Sequence, residues 1–436
     1  MASSFGAFPK VVRDQRRKFQ DETESSPDLF IRYTSVQHLD VARAALAKLL
    51  NVPLNETVFV QNATTGVNTA LRNLAYAPGD VIVYFATAYA ACAKTVASLT
   101  ETTPLQARKV EYQFPISHGE IVQRFKDVVK QAKDEGLNVR VALLDTIVSQ
   151  PGVRFPFEEL VEVCRAEGVL SCVDGAHGVG HIPLDLGKLD ADFFVSNCHK
   201  WLYTPRGCAV FHVPKRNQHL IRTTLPTSHG FLLASSDKPS PTNPLAVSEG
   251  ATKTSFEGLF EFVATVDDSP YLCIPTALEF RDKVCGGEDR IMKYCESLAR
   301  EAGDLLAEAL GTEVMCEPGI DPKDAAASQI RRCAMSNVRT PIAVVDETVA
   351  PTVPAGARAV ISSQQAAFLC RWLEKEMLYT YNTVVPHFAH GGWIWLRLSG
   401  QVYLELEDFK WFAGVEKELI ERVIKGEAAM EALKIV

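Results

Sequence analysis

The sequence has no apolar run long enough to cross a bilayer. Its longest, Val81 to Ala93, is interrupted by Thr87, and a spanning helix needs about 20 apolar residues. The first residues, Met-Ala-Ser-Ser-Phe-Gly, carry no basic stretch followed by an apolar one, so no secretory signal is expected. The last, Leu-Lys-Ile-Val, match no anchor or retention signal. There is no excess of positive charge: 45 Lys and Arg against 53 Asp and Glu leave a net charge of −8, which argues against nucleic acid or an anionic membrane as partner. The eleven cysteines include no C-x-x-C pair, and Cys172, Cys208 and Cys273 lie in apolar runs. They read as buried free thiols of a reducing compartment, the cytoplasm, rather than as a disulfide framework. No internal repeat is present.

What is there is globular material: 436 residues, 47% of them hydrophobic, enough for one large core or two smaller ones. Up to about residue 213 strand and helix patterns alternate. Strands are expected at Thr57 to Val60, Val81 to Phe85, Val139 to Leu144, Val169 to Val173, Asp192 to Ser196 and Cys208 to Val213. Helices are expected at Gly66 to Leu74, Ala88 to Leu99 and Phe157 to Glu167. Short, nearly continuous apolar strands between helices predict an α/β fold with a largely parallel sheet covered on both faces. A functional site then belongs at the carboxyl ends of the strands. Ser235 to Thr254 reads as a surface loop, and Pro318 to Gln329 and Asp346 to Gly356 are similarly punctuated. Cys285-Gly286-Gly287 marks a boundary, followed by helical patterns at Ile291 to Leu310 and Gln364 to Glu376. The expected division is an N-terminal arm over 1–25, a large domain over 26–284 and a small C-terminal domain over 285–436.

Three strand ends carry chemistry. Val169 to Val173 runs into Asp174-Gly175-Ala176-His177-Gly178, a carboxylate followed by small residues that allow close approach to the backbone; the alternative is a turn-forming Asp-Gly. Phe193 to Ser196 runs into Asn197-Cys198-His199-Lys200-Trp201, where a partly desolvated lysine would offer a neutral, nucleophilic amine. Gln61 to Gly66 joins a strand to a helix, and backbone N–H groups with the hydroxyls of Thr64 and Thr65 suit a phosphate there; an ordinary N-cap is the alternative. A phosphate cradle, an acid and a buried amine are together what pyridoxal 5′-phosphate (PLP) requires. His177 and His181, or His387 and His390, have spacings open to metal ligation, but neither pair shows a third ligand, so no metal site is expected.

The run from Asp174 to Val213, with Asp-Gly-Ala-His and Asn-Cys-His-Lys-Trp-Leu, resembles the fold-type I PLP enzymes of the class V aminotransferase group over nearly the whole chain. More narrowly, Pro151 to Phe157, Thr204 to Cys208, Arg216 to Arg222 and Leu225 to Gly230 resemble fungal ergothioneine-pathway cysteine-sulfoxide lyases and isopenicillin N epimerase-like proteins. The resemblance implies a mainly parallel seven-stranded sheet with a smaller C-terminal α/β domain. It implies that Lys200 forms the Schiff base, Asp174 pairs with the pyridine nitrogen, His177 sits near the ring hydroxyl and Tyr89 lies over the ring. Thr64, Thr65, Asn197 and His199 would hold the phosphate. Thr265 would reach that phosphate from the second subunit of a homodimer with shared sites, and Arg397 would bind the substrate carboxylate.

The implied activity is β-elimination, a C–S cleavage of a cysteine-derived amino acid. Bond-forming replacement or condensation, and epimerisation, in fungal secondary metabolism are the alternatives on the same cofactor; a non-catalytic scaffold is the alternative without one. The family has an Asn-His-Gly-type stretch ahead of the segment matching Ser3 to Pro9, so either the chain is truncated or the substrate side is rebuilt. Those lyases carry Gln at the position of His177, and a basic cluster where this chain has Ala389 to Trp395. That last segment, with Trp393 and Trp395, is expected to line an apolar side-chain pocket.

Overall fold

The computed structural model describes residues 5–231, 233, 253–321, 324, 327–346 and 353–432. Most of the loop expected at Ser235 to Thr254 lies outside the described residues, as do parts of Pro318 to Gln329 and Asp346 to Gly356. The long helices α1 (Lys10–Ser25) and α2 (Ser35–Leu50), with short helical turns between and after them, precede the first sheet.

That sheet has seven strands: β1 (Thr57–Val60), β2 (Asp80–Phe85), β3 (Gln106–Val110), β4 (Asn138–Asp145), β5 (Leu170–Asp174), β6 (Phe193–Asn197) and β7 (Ala209–His212). Their spatial order is β1-β7-β6-β5-β4-β2-β3. All are parallel except β7, which runs antiparallel to both neighbours. Helices α3 (Ala63–Asn73), α4 (Ala90–Thr102), α5 (His118–Asp134) and α6 (Phe157–Glu167) connect the strands. Side chains alternate across a strand, and β2 shows the result. Val81, Val83 and Phe85 enter one core, and Ile82 enters a second core on the opposite face. Helix α5 covers one face with a stripe of Ile121, Val122, Phe125, Val129 and Ala132, and Ser117 caps it by accepting the Glu120 N–H.

Beyond Gly287 the chain builds a smaller α/β unit. Strands β8 (Met335–Val345), β9 (Ala359–Ser362), β10 (His387–His390) and β11 (Trp393–Ser399) form a sheet in the order β9-β8-β11-β10. Helices α7 (Glu288–Leu310), α8 (Ser363–Tyr381) and α9 (Leu406–Ile424) enclose its core around Leu306, Trp372, Leu396 and Phe409. The larger core draws Ile291, Cys295, Met335 and Trp395 from this unit, so apolar packing joins the two.

The expectation for Ala389 to Trp395 needs correction. The segment forms the β10–β11 hairpin, with Gly391 and Gly392 at positive φ in its turn. Trp395 is buried in the large core and donates its indole N–H to the His390 carbonyl, while Trp393 lies under the Arg339 guanidinium. None of the seven residues borders the cavity described below. The four histidines of the two spaced pairs also have other employment. His387 bonds Glu416 in the small core, and His390 bonds the Phe114 carbonyl. His177 and His181 belong to the network around Lys200.

Candidate active site

The carboxyl ends of β4, β5 and β6 and the N-terminus of α3 open into one cavity of about 310 Å³. It is bordered by Asp145, Asp174, His177, Asn197, His199, Lys200 and Arg397, with Thr64 at one side and Tyr89 at its mouth. Eight of the ten site residues expected from the sequence thus meet in one place. Thr65 does not border the cavity; it faces a neighbouring one, and its hydroxyl bonds Asn62 Oδ1. Thr265 is exposed and also lies away from the cavity.

Lys200 follows β6 in a short helical turn, Cys198–Trp201. Burial pushes its amine down to about 8, against the pull of the Asp174 carboxylate, and the Arg397 charge pushes the same way as burial. Its Nζ lies 3.0 Å from His177 Nε2. Burial, then the charge of Lys200, keeps His177 well below the ordinary histidine range.

Asp174 ends β5. Its Oδ1 accepts the Ala176 N–H at 3.0 Å, and its Oδ2 accepts the Cys92 thiol at 3.2 Å. Burial raises its pKa, while these two donors and Lys200 oppose the rise. Asp145 is its register partner on β4, raised by burial and then by the Asp174 charge.

The α3 N-terminus is organised by two amides. Asn62 Oδ1 accepts the Thr65 N–H at 2.9 Å as an N-cap, and Asn197 Oδ1 accepts the Ala63 N–H at 2.8 Å, tying the end of β6 to the helix. His199 donates from Nδ1 to the Cys208 carbonyl at 3.0 Å, and burial lowers its pKa to about 4. The N-cap alternative is realised, and it does not close the helix end off from the cavity. Asn62 satisfies one N–H, and Thr64 still borders the cavity at the positive end of an eleven-residue helix.

Arg397 enters from β11. It is buried, donates to the Ser149 carbonyl, and is lowered to about 10 by burial. Its seat requires Gly152, where a Cβ would come within 2.6 Å of Arg397 Cδ and 2.8 Å of Met335 Sδ. Asn337, the register partner of Arg397, fixes that glycine by bonding both its N–H and its carbonyl.

Asp145, Cys92 and Phe5 border or support the site without having been expected from the sequence, whereas the N-cap by Asn62 is one of the two alternatives that segment offered. Asp145 carried the same signal as Asp174, a carboxylate closing an apolar strand. Phe5 borders the cavity because Gly6 folds over Lys200 at φ +72°, where a Cβ would lie 1.7 Å from the His199 carbonyl oxygen. No local pattern announces that contact.

The class V aminotransferase family matches residues 11–240. Over 98% of this chain and 93% of its own length, the L-cysteine desulfhydrase-like protein lolT1 of Epichloe uncinata is 42% identical. The chain belongs to the class V aminotransferase family. Hercynylcysteine sulfoxide lyase of Schizosaccharomyces pombe is 26% identical over 95% of this chain and 92% of its own. Among solved structures, the cystine C-S lyase C-DES in complex with cysteine persulfide superposes with a TM-score of 0.69 at 17% identity, covering 93% of each chain. The cysteine desulfurase CsdA of Escherichia coli gives 0.64 at 16% identity, over 95% and 92%. The fold is that of fold-type I enzymes. For a class V aminotransferase chain the donor set fits PLP: an amine of depressed pKa, a buried carboxylate and a helix N-terminus face one cavity.

Proposed function

We propose that this chain is a PLP-dependent enzyme that cleaves the C–S bond of a cysteine-derived amino acid by β-elimination. The observation that carries the reading is the amine of Lys200, lowered to about 8 beside a buried carboxylate, in a cavity that also holds a buried guanidinium. Lys200 and Asp174 would hold the cofactor aldehyde and ring nitrogen, Thr64, Asn197 and His199 would hold its phosphate, and Tyr89 would pack against it. When bound, the cofactor supplies an electron sink for charge at the substrate Cα. Arg397 takes the α-carboxylate in a fork suited to bidentate binding. Lys200, once the substrate amine has displaced it from the cofactor aldehyde, would take the Cα proton on Nζ, and the Cβ–S bond would break with its electron pair leaving on sulfur.

C–S cleavage is favoured over the other outcomes by the relatives' printed activities, a cysteine desulfhydrase-like protein and a sulfoxide lyase. The test is product analysis. The PLP-loaded protein is incubated with L-cysteine, L-cystine and L-cysteine sulfoxides, and sulfur release and pyruvate are measured. Pyruvate and the sulfur product in equal amounts support elimination. Retention of the carbon skeleton in a coupled or epimerised product would replace this reading with another.

Three further readings belong to the proposal. The protein works as a homodimer whose sites are shared, supported by the exposed Thr265. It works in the cytoplasm, supported by eleven free cysteines; among the described residues no helix is long and apolar enough to cross a membrane. Its domains divide into 1–25, 26–284 and 285–436, supported by the two sheets and the Gly286-Gly287 junction ahead of α7.

A further inference from the structure

We propose that Trp201 is a positioning residue of this site: its indole N–H selects one tautomer of His177, and that tautomer holds the Lys200 nitrogen as a neutral amine. The inference rests on the reading of Lys200 as the cofactor lysine and adds the device that keeps it nucleophilic.

Trp201 is buried, and its Nε1 lies 3.1 Å from His177 Nδ1. An indole N–H can only donate, so Nδ1 carries a lone pair. His177 is neutral, because burial and the adjacent Lys200 disfavour its cation. Its single proton therefore sits on Nε2, which lies 3.0 Å from Lys200 Nζ. An N–H aimed at Nζ needs a lone pair there. A neutral amine has one and an ammonium has none. In the other tautomer Nε2 would be an acceptor and would favour the ammonium.

The indole is itself held in place. The His181 ring stacks on Trp201 with centroids 3.8 Å apart and planes at 22°. His181 Nε2 accepts the Ala334 N–H at 2.7 Å, so its proton is on Nδ1, which donates to the His177 carbonyl at 2.8 Å. Arg281 donates to the carbonyls of Trp201, at 2.7 Å, and Gly180, at 3.1 Å. Ala334 immediately precedes β8, so the smaller sheet braces the ring that braces the indole. Purely as a space-filler, Trp201 would need only its ring faces; the N–H aimed at Nδ1 is what distinguishes the two roles.

The experiment compares the wild type with Trp201→Phe, which keeps an aromatic ring against His181 and removes the N–H. The full-length protein is freed of cofactor and mixed with PLP across a pH series, and growth of the visible cofactor band reports the neutral fraction of Lys200. The charged and titratable groups facing Lys200 are Asp174, Arg397, Cys92 and Asp145; those facing His177 are Lys200, Arg397, His181 and His199. All are common to both proteins, as are the cofactor's own ionisations. The expected result is a midpoint moved up by roughly half to one pH unit in Trp201→Phe, the size of one buried hydrogen bond. An unmoved midpoint in a folded variant overturns the proposal. Nitrogen spectra of 15N-histidine-labelled wild-type protein test it without any variant, with His177→Gln assigning the signal. A protonated Nε2 and a bare Nδ1 are expected, and a protonated Nδ1 at His177 contradicts it. Absence of any cofactor band in the wild type would instead sink the reading of Lys200 and leave the tautomer result standing.

Discussion

Asp145 and Asp174 are register partners at the carboxyl ends of adjacent parallel strands, and both border the cavity that receives Lys200. Burial raises both pKa values, and the Asp174 charge raises Asp145 further. An acid raised above its unfolded value of about 3.9 contributes stability that is fully present below that value and lost as pH rises through the folded pKa. Asp145→Asn removes that loss. The cofactor-free variant should melt no higher than wild type near pH 4 and higher than wild type at pH 7. A melting difference that is the same at both pH values would show that Asp145 is not held against ionisation.

Asp174→Asn should still acquire PLP through Lys200 yet lose most of its chemistry at the substrate Cα. An amide cannot stabilise a protonated ring nitrogen as a carboxylate does. Hydrogen bonds to charged groups are worth about 1.5–3 kcal/mol, so turnover should fall at least tenfold with the cofactor band retained. Near wild-type turnover would make Asp174 a structural residue.

Arg397→Ala should raise KM and leave the cofactor band in place. Loss of a buried, hydrogen-bonded charge contact costs about 2–5 kcal/mol, roughly 30- to several-thousand-fold in affinity. Steady-state kinetics with the substrate found by product analysis decide the matter. An unchanged KM would assign the carboxylate to another group.

Mixing Lys200→Ala and Thr265→Ala chains tests the shared site. If each variant alone is impaired, exchanged dimers should recover activity through one intact site per dimer. No recovery, in dimers shown to have exchanged by mass, contradicts the contribution of Thr265 across an interface.

Much of this site was legible because strand ends repeat a simple signal. Asp174, Asn197 and Lys200 follow apolar runs, and a parallel sheet delivers the residues at such ends to one edge. Asp145 belongs to the same class, but no motif surrounds it. Cys92 and Phe5 act through tertiary contacts, a thiol reaching Asp174 from α4 and an N-terminal turn crossing over Lys200, and neither has a local pattern. For Ala389 to Trp395, nearness to Arg397 in sequence is not nearness in the site. Trp395 lies two residues from Arg397 on β11, a displacement of about 6.6 Å along the strand, which carries it out of the cavity and into the core. Likewise Thr65, next to Thr64, turns with the helix toward a different cavity.

The central claim is that Lys200 carries the cofactor. The PLP-loaded protein is reduced with borohydride and digested, and the pyridoxyl-bearing peptide is located by mass spectrometry. The account predicts the label on Lys200, within the sequence Asn197-Cys198-His199-Lys200-Trp201. A label on any other lysine, or a protein that takes no label at all, would contradict it.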